Sequence, residues 1–82
     1  MATVLEIKKL VKGDLDGDKN LIINGAYDLI PGKESHVSFL SNGLSPQLLT
    51  TTLSDLIFVS NEEFSKYTEK SIIVVQDPKY SF

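Results

Sequence analysis

The spacing of hydrophobic residues along this chain of 82 residues changes several times, and each change predicts a short element. Between residues 4 and 11 the apolar positions recur at the spacing of one helix face. Thr3 and Glu6 form a capping-box pattern at the start of this segment, and Gly13 follows its end. The pattern therefore predicts an amphipathic helix over residues 4–11.

Strand patterns account for much of the remaining chain. Short strands are predicted over residues 13–16, 21–24, 36–41, 55–59 and 71–75. The last two segments are apolar at successive positions, which is typical of strands covered on both faces. Between them, Ser60 and Glu63 repeat the capping-box pattern, and Phe64 and Tyr67 are spaced for a short helix. A strand, a crossover helix and a second strand predict a parallel pair with a right-handed connection.

Turn residues divide the chain around its middle. Asn42-Gly43 is a strong turn pair, Ser45 is a good N-cap, and Pro46 suits the first position of a helix that runs to about Thr52. The elements together predict a single domain over residues 1–82. Its class is α/β, with a small mixed sheet and short helices.

The composition limits which classes of partner and which cellular compartment are expected. The net charge is −3, from 8 basic and 11 acidic residues, and the lysines are scattered, so a nucleic-acid partner is not expected. No apolar run is long enough to span a bilayer, and the N-terminus lacks a signal-peptide pattern. The absence of cysteine removes thiolate zinc sites and cysteine nucleophiles and favours a reducing compartment. A cytoplasmic location is therefore the expectation.

The stretch "GDLDGDKN" resembles the start of a calcium-binding loop. Asp14, Asp16 and Asp18 have the spacing of the first three ligands of an EF-hand. Lys19 stands at the position of the required glycine, however, and Gly25 at that of the closing acid. We therefore interpret these aspartates as turn and capping residues and predict no metal site.

No residue pattern in the chain predicts catalysis. The single histidine, His36, begins a strand and has no cysteine or suitably spaced acid with which to form a triad. No phosphate-binding loop, dinucleotide fingerprint or zinc spacing is present. We expect no catalytic residue and no cofactor.

The segment "SFLSNG" is the strongest candidate for recognition. A planar base could stack on Phe39, the Asn42 amide could read the edge of that base, and the amides of the helix after Ser45 could meet an anion. The alternative is structural, with Phe39 in the core and Asn42 in a turn. The residues alone leave both interpretations open.

Four stretches also resemble a known family in order and spacing. "GDLDGDKNLIINGAYDL", "HVSFLSN", "DLIFVS" and "SIIVVQDPKYSF" are similar to the N-terminal, non-repeat domain of the UDP-3-O-acylglucosamine N-acyltransferases of lipid A biosynthesis. The similarity covers essentially the whole chain. A more distant resemblance is to the N-terminal UDP-binding domains of Mur ligases, which implies the same small α/β fold.

The resemblance implies a domain that holds the uridine of UDP-acylglucosamine. In the family, uracil lies between a phenylalanine and a tyrosine, and an asparagine contacts the base. Phe39 and Asn42 match, whereas the tyrosine position falls on Ser45, so one wall of the sandwich is missing unless Tyr27 or Tyr67 replaces it. His36 inherits no role from the family.

The resemblance also implies a parent enzyme. Acyl transfer would belong to a left-handed β-helix domain after residue 82, with acyl carrier protein as the donor and a homotrimer as the assembly, and this chain has no hexapeptide repeats of such a domain. Two alternatives remain open. The chain could be a protein-interaction module that kept the fold without nucleotide binding, or the N-terminal domain of a Mur-type ligase.

Overall fold

The computed structural model describes residues 2–40 and 45–75. One α-helix, α1, covers Val4–Val11, and two 3₁₀ helices cover Pro46–Thr50 and Glu62–Tyr67. The strands are β1 (Ala2–Thr3), β2 (Asp14–Asp16), β3 (Ile22–Ile23), β4 (Gly25–Ala26), β5 (His36–Phe39), β6 (Leu56–Val59) and β7 (Ser71–Val74). The predicted Asn42-Gly43 turn and the segment "DPKYSF" lie outside the described residues.

Five strands form a mixed sheet in the order β2-β7-β6-β5-β4. The four strands from β4 to β7 are parallel, and β2 runs antiparallel to β7 at one edge. Strands β1 and β3 form a separate antiparallel pair. The structure confirms the predicted α/β class, the small mixed sheet and the parallel pairing of β6 with β7.

Helix α1 is confirmed with its predicted bounds and cap. Thr3 Oγ1 accepts a hydrogen bond from Glu6 N at 3.2 Å, and Glu6 Oε1 accepts one from Thr3 N at 3.1 Å. These two bonds satisfy amides that have no partner within the helix. Lys12, in the left-handed conformation at φ 56°, ends the helix one residue before Gly13.

The other two predicted helices are 3₁₀ helices of five and six residues. The first is capped by Ser45 as predicted, but it ends at Thr50 instead of Thr52. The predicted cap of the second was wrong, because Asn61 and not Ser60 is the N-cap and its Oδ1 accepts from Glu63 N at 2.9 Å. Short crossovers favour 3₁₀ geometry, since it spans more length per residue.

The strands near the N-terminus differ most from the prediction. Strands were predicted over 13–16 and 21–24, and the structure has the shorter β2 and β3, which belong to different sheets. The two-residue strands β1 and β4 were not predicted at all. Pairing with distant segments defines all four, so their own sequences carry little signal.

The five-stranded sheet is covered differently on its two faces. The helical face packs against α1 and β3, and its buried residues are Val4, Ile23, Leu56, Phe58, Ile73 and Val75. The crossover face packs against the connections between the parallel strands, and its buried residues are Leu29, Leu40, Leu49, Ile57, Val59 and Ile72. Successive residues of a strand point to opposite faces, and β6 and β7 are apolar at successive positions. These two strands therefore contribute apolar side chains to both clusters. Within the described residues, no helix has the length and hydrophobicity needed to cross a membrane.

Candidate functional site

Phe39 is the last residue of β5 and lies on the helical face of the sheet. It is paired in register with Phe58 of β6 and packs, half-buried, against the buried cluster of that face. The ring is therefore neither fully enclosed nor fully exposed. Such a ring can keep its core contacts and still offer surface to a planar ligand.

The backbone that carries Phe39 is held on both sides by hydrogen bonds. Leu40 N donates to Phe58 O at 2.9 Å, immediately after the ring. Immediately before it, Ser38 Oγ donates to Tyr27 O at 2.8 Å and lies 2.6 Å from Ser54 Oγ. Strand β6 and the residues next to β4 and β6 thus fix the position from which the Phe39 side chain projects.

Of the other two predicted site residues, Asn42 and Ser45, the structure describes only Ser45. Asn42 lies outside the described residues. Ser45 is exposed, and its Oγ accepts a hydrogen bond from Gln47 N at 3.3 Å as the cap of the first 3₁₀ helix. The predicted anion site at this helix start is not supported, because the helix has only five residues and Ser45 already binds one of its first amides.

Neither candidate for the missing aromatic wall lies on the face of Phe39. The Tyr27 ring makes an edge contact with His36, with ring centroids 5.9 Å apart, and His36 alternates with Val37 along β5. Tyr67 ends the second 3₁₀ helix and lines a groove on the crossover face. The suggestion that one of these tyrosines replaces the wall is therefore not supported.

His36 lies at the start of β5, at the opposite end from Phe39. Three residues along a strand span about 10 Å. The His36 Nδ1 atom is 2.8 Å from Glu34 O, a contact in which the ring nitrogen donates. His36 thus takes part in local structure around Tyr27 and is separate from the Phe39 end of the sheet.

The aspartates of the calcium-like stretch form a strand and a turn. Asp14 and Asp16 belong to β2, and Asp18 Oδ1 accepts from Asn20 N at 2.8 Å in an Asx turn. Within residues 2–40 and 45–75, no three His, Asp or Glu side chains come together as metal ligands. The stretch therefore has the geometry of a sheet edge and a turn.

Sequence analysis missed a groove on the crossover face. The groove has a volume of about 560 Å³, lies between the two 3₁₀ helices, and is lined by residues 49, 50, 52 and 65–70. Tyr67 was noted for its helical spacing with Phe64 and as a possible second aromatic wall, but not as part of a groove. Hydroxyl-rich sequence in two separate crossovers was the available signal, but only the fold brings these segments together.

The chain is similar in sequence to two curated enzymes. It is 29% identical over 80 residues to the UDP-3-O-acylglucosamine N-acyltransferase of Shewanella oneidensis, and 29% identical over 80 residues to that of Shewanella sp. strain MR-7. Each match covers 98% of this chain and 23% of the relative. The chain thus spans less than a quarter of the length of these relatives. No protein-family model matches it.

Proposed function

We propose that this chain is the substrate-recognition domain of a UDP-3-O-acylglucosamine N-acyltransferase and that it holds the uridine of the nucleotide sugar. The observation that carries the proposal is the match to two enzymes of that name across 98% of the chain. The α/β fold and the half-buried ring at the end of β5 support it, because ligands of parallel α/β sheets bind at the carboxyl ends of the strands.

In this proposal Phe39 stacks on uracil and Asn42 hydrogen-bonds the edge of the base. Ser45 stands where the family tyrosine would supply the second wall. Stacking on one aromatic contributes on the order of 1–3 kcal/mol per base. We therefore expect weaker binding than two walls would provide, with Phe39 as the main contributor.

The role of the whole protein is a further part of the proposal. The chain would act within lipid A biosynthesis in the cytoplasm, beside a left-handed β-helix domain that performs the acyl transfer. Acyl carrier protein would donate the acyl group, and the parent would assemble as a homotrimer. We assign no catalytic residue and no cofactor to this chain.

A protein-interaction module is the second candidate. Ser45 favours it, because this residue caps a helix and offers no stacking surface. In this alternative the fold persists for contact with another protein and Phe39 serves only as core packing. The N-terminal domain of a Mur-type ligase is the related third possibility, and it would also bind UDP.

Titration of the ¹⁵N-labelled chain with UDP tests the proposal. We expect saturable amide shifts around Phe39, and Phe39→Ala should weaken binding by about 5- to 150-fold if stacking is worth about 1–3 kcal/mol. Phe39→Leu keeps apolar packing without the aromatic ring and should also weaken binding. Tyr67→Ala is the matched control on the other face and should leave UDP binding unchanged.

Two results would contradict nucleotide recognition. One is the absence of saturable shifts up to about 10 mM UDP, a concentration that detects even millimolar affinity. The other is unchanged binding by Phe39→Leu when that variant remains folded. Either result would favour the interaction module.

A further inference from the structure

We propose that the groove between the two 3₁₀ helices is a second ligand site, and that it binds a phosphorylated saccharide. The first helix and the residues after it supply one wall, and the end of the second helix with the following turn supplies the other. A volume of about 560 Å³ lies within the usual range of small-molecule sites, about 300–1,000 Å³. The site is distinct from the proposed uridine site, because Phe39 packs on the helical face.

The lining is rich in hydroxyl groups. Of the nine described residues that line the groove, five carry one: Thr50, Thr52, Ser65, Tyr67 and Thr68. A hydroxyl both donates and accepts, which suits a ligand that is itself polyhydroxylated. Among residues 2–40 and 45–75, no Asn or Gln side chain lines the groove. The fixed donor and acceptor edge of an amide, which would select a base, is thus missing from this lining.

Three of these hydroxyls are oriented by hydrogen bonds to the backbone. Thr68 Oγ1 accepts from Lys70 N at 3.0 Å, so its hydroxyl proton is available to donate. Thr52 Oγ1 accepts from Ser54 N at 3.2 Å and is buried against Gly32. Thr50 Oγ1 donates to Gln47 O at 2.7 Å and keeps its lone pairs for accepting. The groove thus has one oriented donor and one oriented acceptor in place before a ligand arrives, which lowers the cost of binding.

An aromatic ring and an apolar base complete the surface for a sugar ring. Tyr67 is 42% exposed, and Leu49 beneath the groove is buried. The apolar C–H face of a pyranose ring can lie against an aromatic ring, as other amphipathic ligands do. Tyr67 is therefore the residue on which we expect the saccharide to rest.

Two lysines and two carboxylates lie at the groove, so its formal charges balance. Lys66 and Lys70 line it together with one acid, Glu69. The Lys70 Nζ atom is 3.4 Å from Asp55 Oδ1, so Lys70 already has a carboxylate partner, and Lys66 is the lining cation without an ion pair among the described residues. Lysine binds phosphate as a point charge, so the Lys66 ammonium group favours a phosphorylated ligand over a neutral sugar.

The experiment is an amide-shift titration of the ¹⁵N-labelled chain with glucose 1-phosphate at constant ionic strength. Free glucose and inorganic phosphate are titrated separately. We expect saturable shifts at Thr50 and at residues 65–70 with glucose 1-phosphate, at least about fivefold tighter than with either component alone. Amides around Phe39 should not respond, which separates this site from the uridine site whatever the outcome with UDP.

Matched variants test the two assigned contacts. Tyr67→Ala should weaken binding by about fivefold, the value of one aromatic contact, whereas Tyr27→Ala, at 43% exposure outside the groove, should not. Lys66→Gln should weaken it, and Lys33→Gln should not. The proposal is overturned if glucose 1-phosphate gives no saturable shift up to about 20 mM, or if phosphate alone reproduces the shifts and Tyr67→Ala has no effect.

Discussion

The two faces of the five-stranded sheet use alternate residues of the same strands but are covered by different means. Helix α1, which has a complete capping box, and strand β3 cover the helical face, whereas three connections between parallel strands cover the crossover face. The helical face therefore depends on apolar contacts from two N-terminal elements. The crossover face combines apolar contacts with a buried pair of serine hydroxyls. This difference separates the two candidate sites, because Phe39 belongs to the first face and the groove to the second.

Shortening a core side chain on each face gives the largest expected effect. Leu56 and Ile57 are adjacent in β6, fully buried, and point to opposite faces. Leu56→Ala and Ile57→Ala should each lower the free energy of unfolding by about 2–5 kcal/mol. Urea denaturation measures the loss, and amide shifts should change in α1 for the first variant and in the 3₁₀ helices for the second.

The assignment of faces would be wrong if both variants disturbed the same helix. Where an alanine variant does not fold, Ile57→Val provides a milder test, with an expected loss of about 0.5–1.5 kcal/mol. Its shift changes should still be confined to the crossover face.

Adding a methyl group at Gly32 should disturb the crossover face alone. Gly32 has φ +80°, and a Cβ there would clash with the Thr52 hydroxyl and lie 2.6 Å from Leu53 N. Gly32→Ala should therefore cost about 2–4 kcal/mol in stability, from backbone strain and from this close approach. Gly25→Ala is the control, because a Cβ there would meet only the His36 ring at 3.5 Å. Equal losses in thermal denaturation would contradict the tight packing of the first crossover.

Removing the buried hydroxyls tests the polar part of the crossover face. Ser38 and Ser54 are both fully buried, with Oγ atoms 2.6 Å apart. Ser38→Ala should cost about 1–3 kcal/mol, because Ser54 and Tyr27 O lose a buried partner. The double variant with Ser54→Ala should cost less than the sum of the single variants. A strictly additive result in denaturant unfolding would show that the two hydroxyls are not coupled.

These contrasts explain which parts of the fold the sequence could predict. Helix α1 was predicted with its observed bounds, and β5, β6 and β7 were predicted at the right places but longer than the structure has them, because each carries its own cap, hydrophobic period or apolar run. Strands β1 and β4 have two residues each, too few for a period, and exist only through pairing with distant residues. The cap at Asn61 was missed because Ser60 and Asn61 are both good capping residues, and the turn geometry decides between them.

The candidate sites also combine features with a local sequence signal and features that depend on distant contacts. Val37 and Phe39 share one face because side chains alternate along β5, which is a local property of a predicted strand. The positions of Tyr27 and Tyr67 depend on how the crossovers pack. The sequence therefore could not predict that neither tyrosine lies on the face of Phe39. The groove likewise unites two crossovers that are far apart in sequence.

The smallest expected effect concerns the cap of α1 and its dependence on pH. Hydrogen bonds from the Thr3 backbone amide and hydroxyl hold the pKa of Glu6 below its ordinary value of 4.5. A depressed carboxyl pKa contributes stability above the unfolded pKa, and that contribution is lost as pH falls through the lower folded value. Glu6→Gln keeps an oxygen acceptor for Thr3 N but removes the titrating charge. The variant should therefore lose less stability between about pH 5 and pH 3 than the unaltered chain.

Glu63→Gln supplies the control for this last comparison, because it removes an exposed carboxylate from the crossover face. Glu63 was predicted to complete a capping box with Ser60, but in the structure only its backbone amide takes part in the cap, by donating to Asn61. The substitution leaves that hydrogen bond intact. The urea midpoint should therefore depend less steeply on pH in the acid range for Glu6→Gln, and as steeply as in the unaltered chain for Glu63→Gln. If both variants flattened the slope equally, the acid sensitivity would come from overall charge and not from the cap of α1.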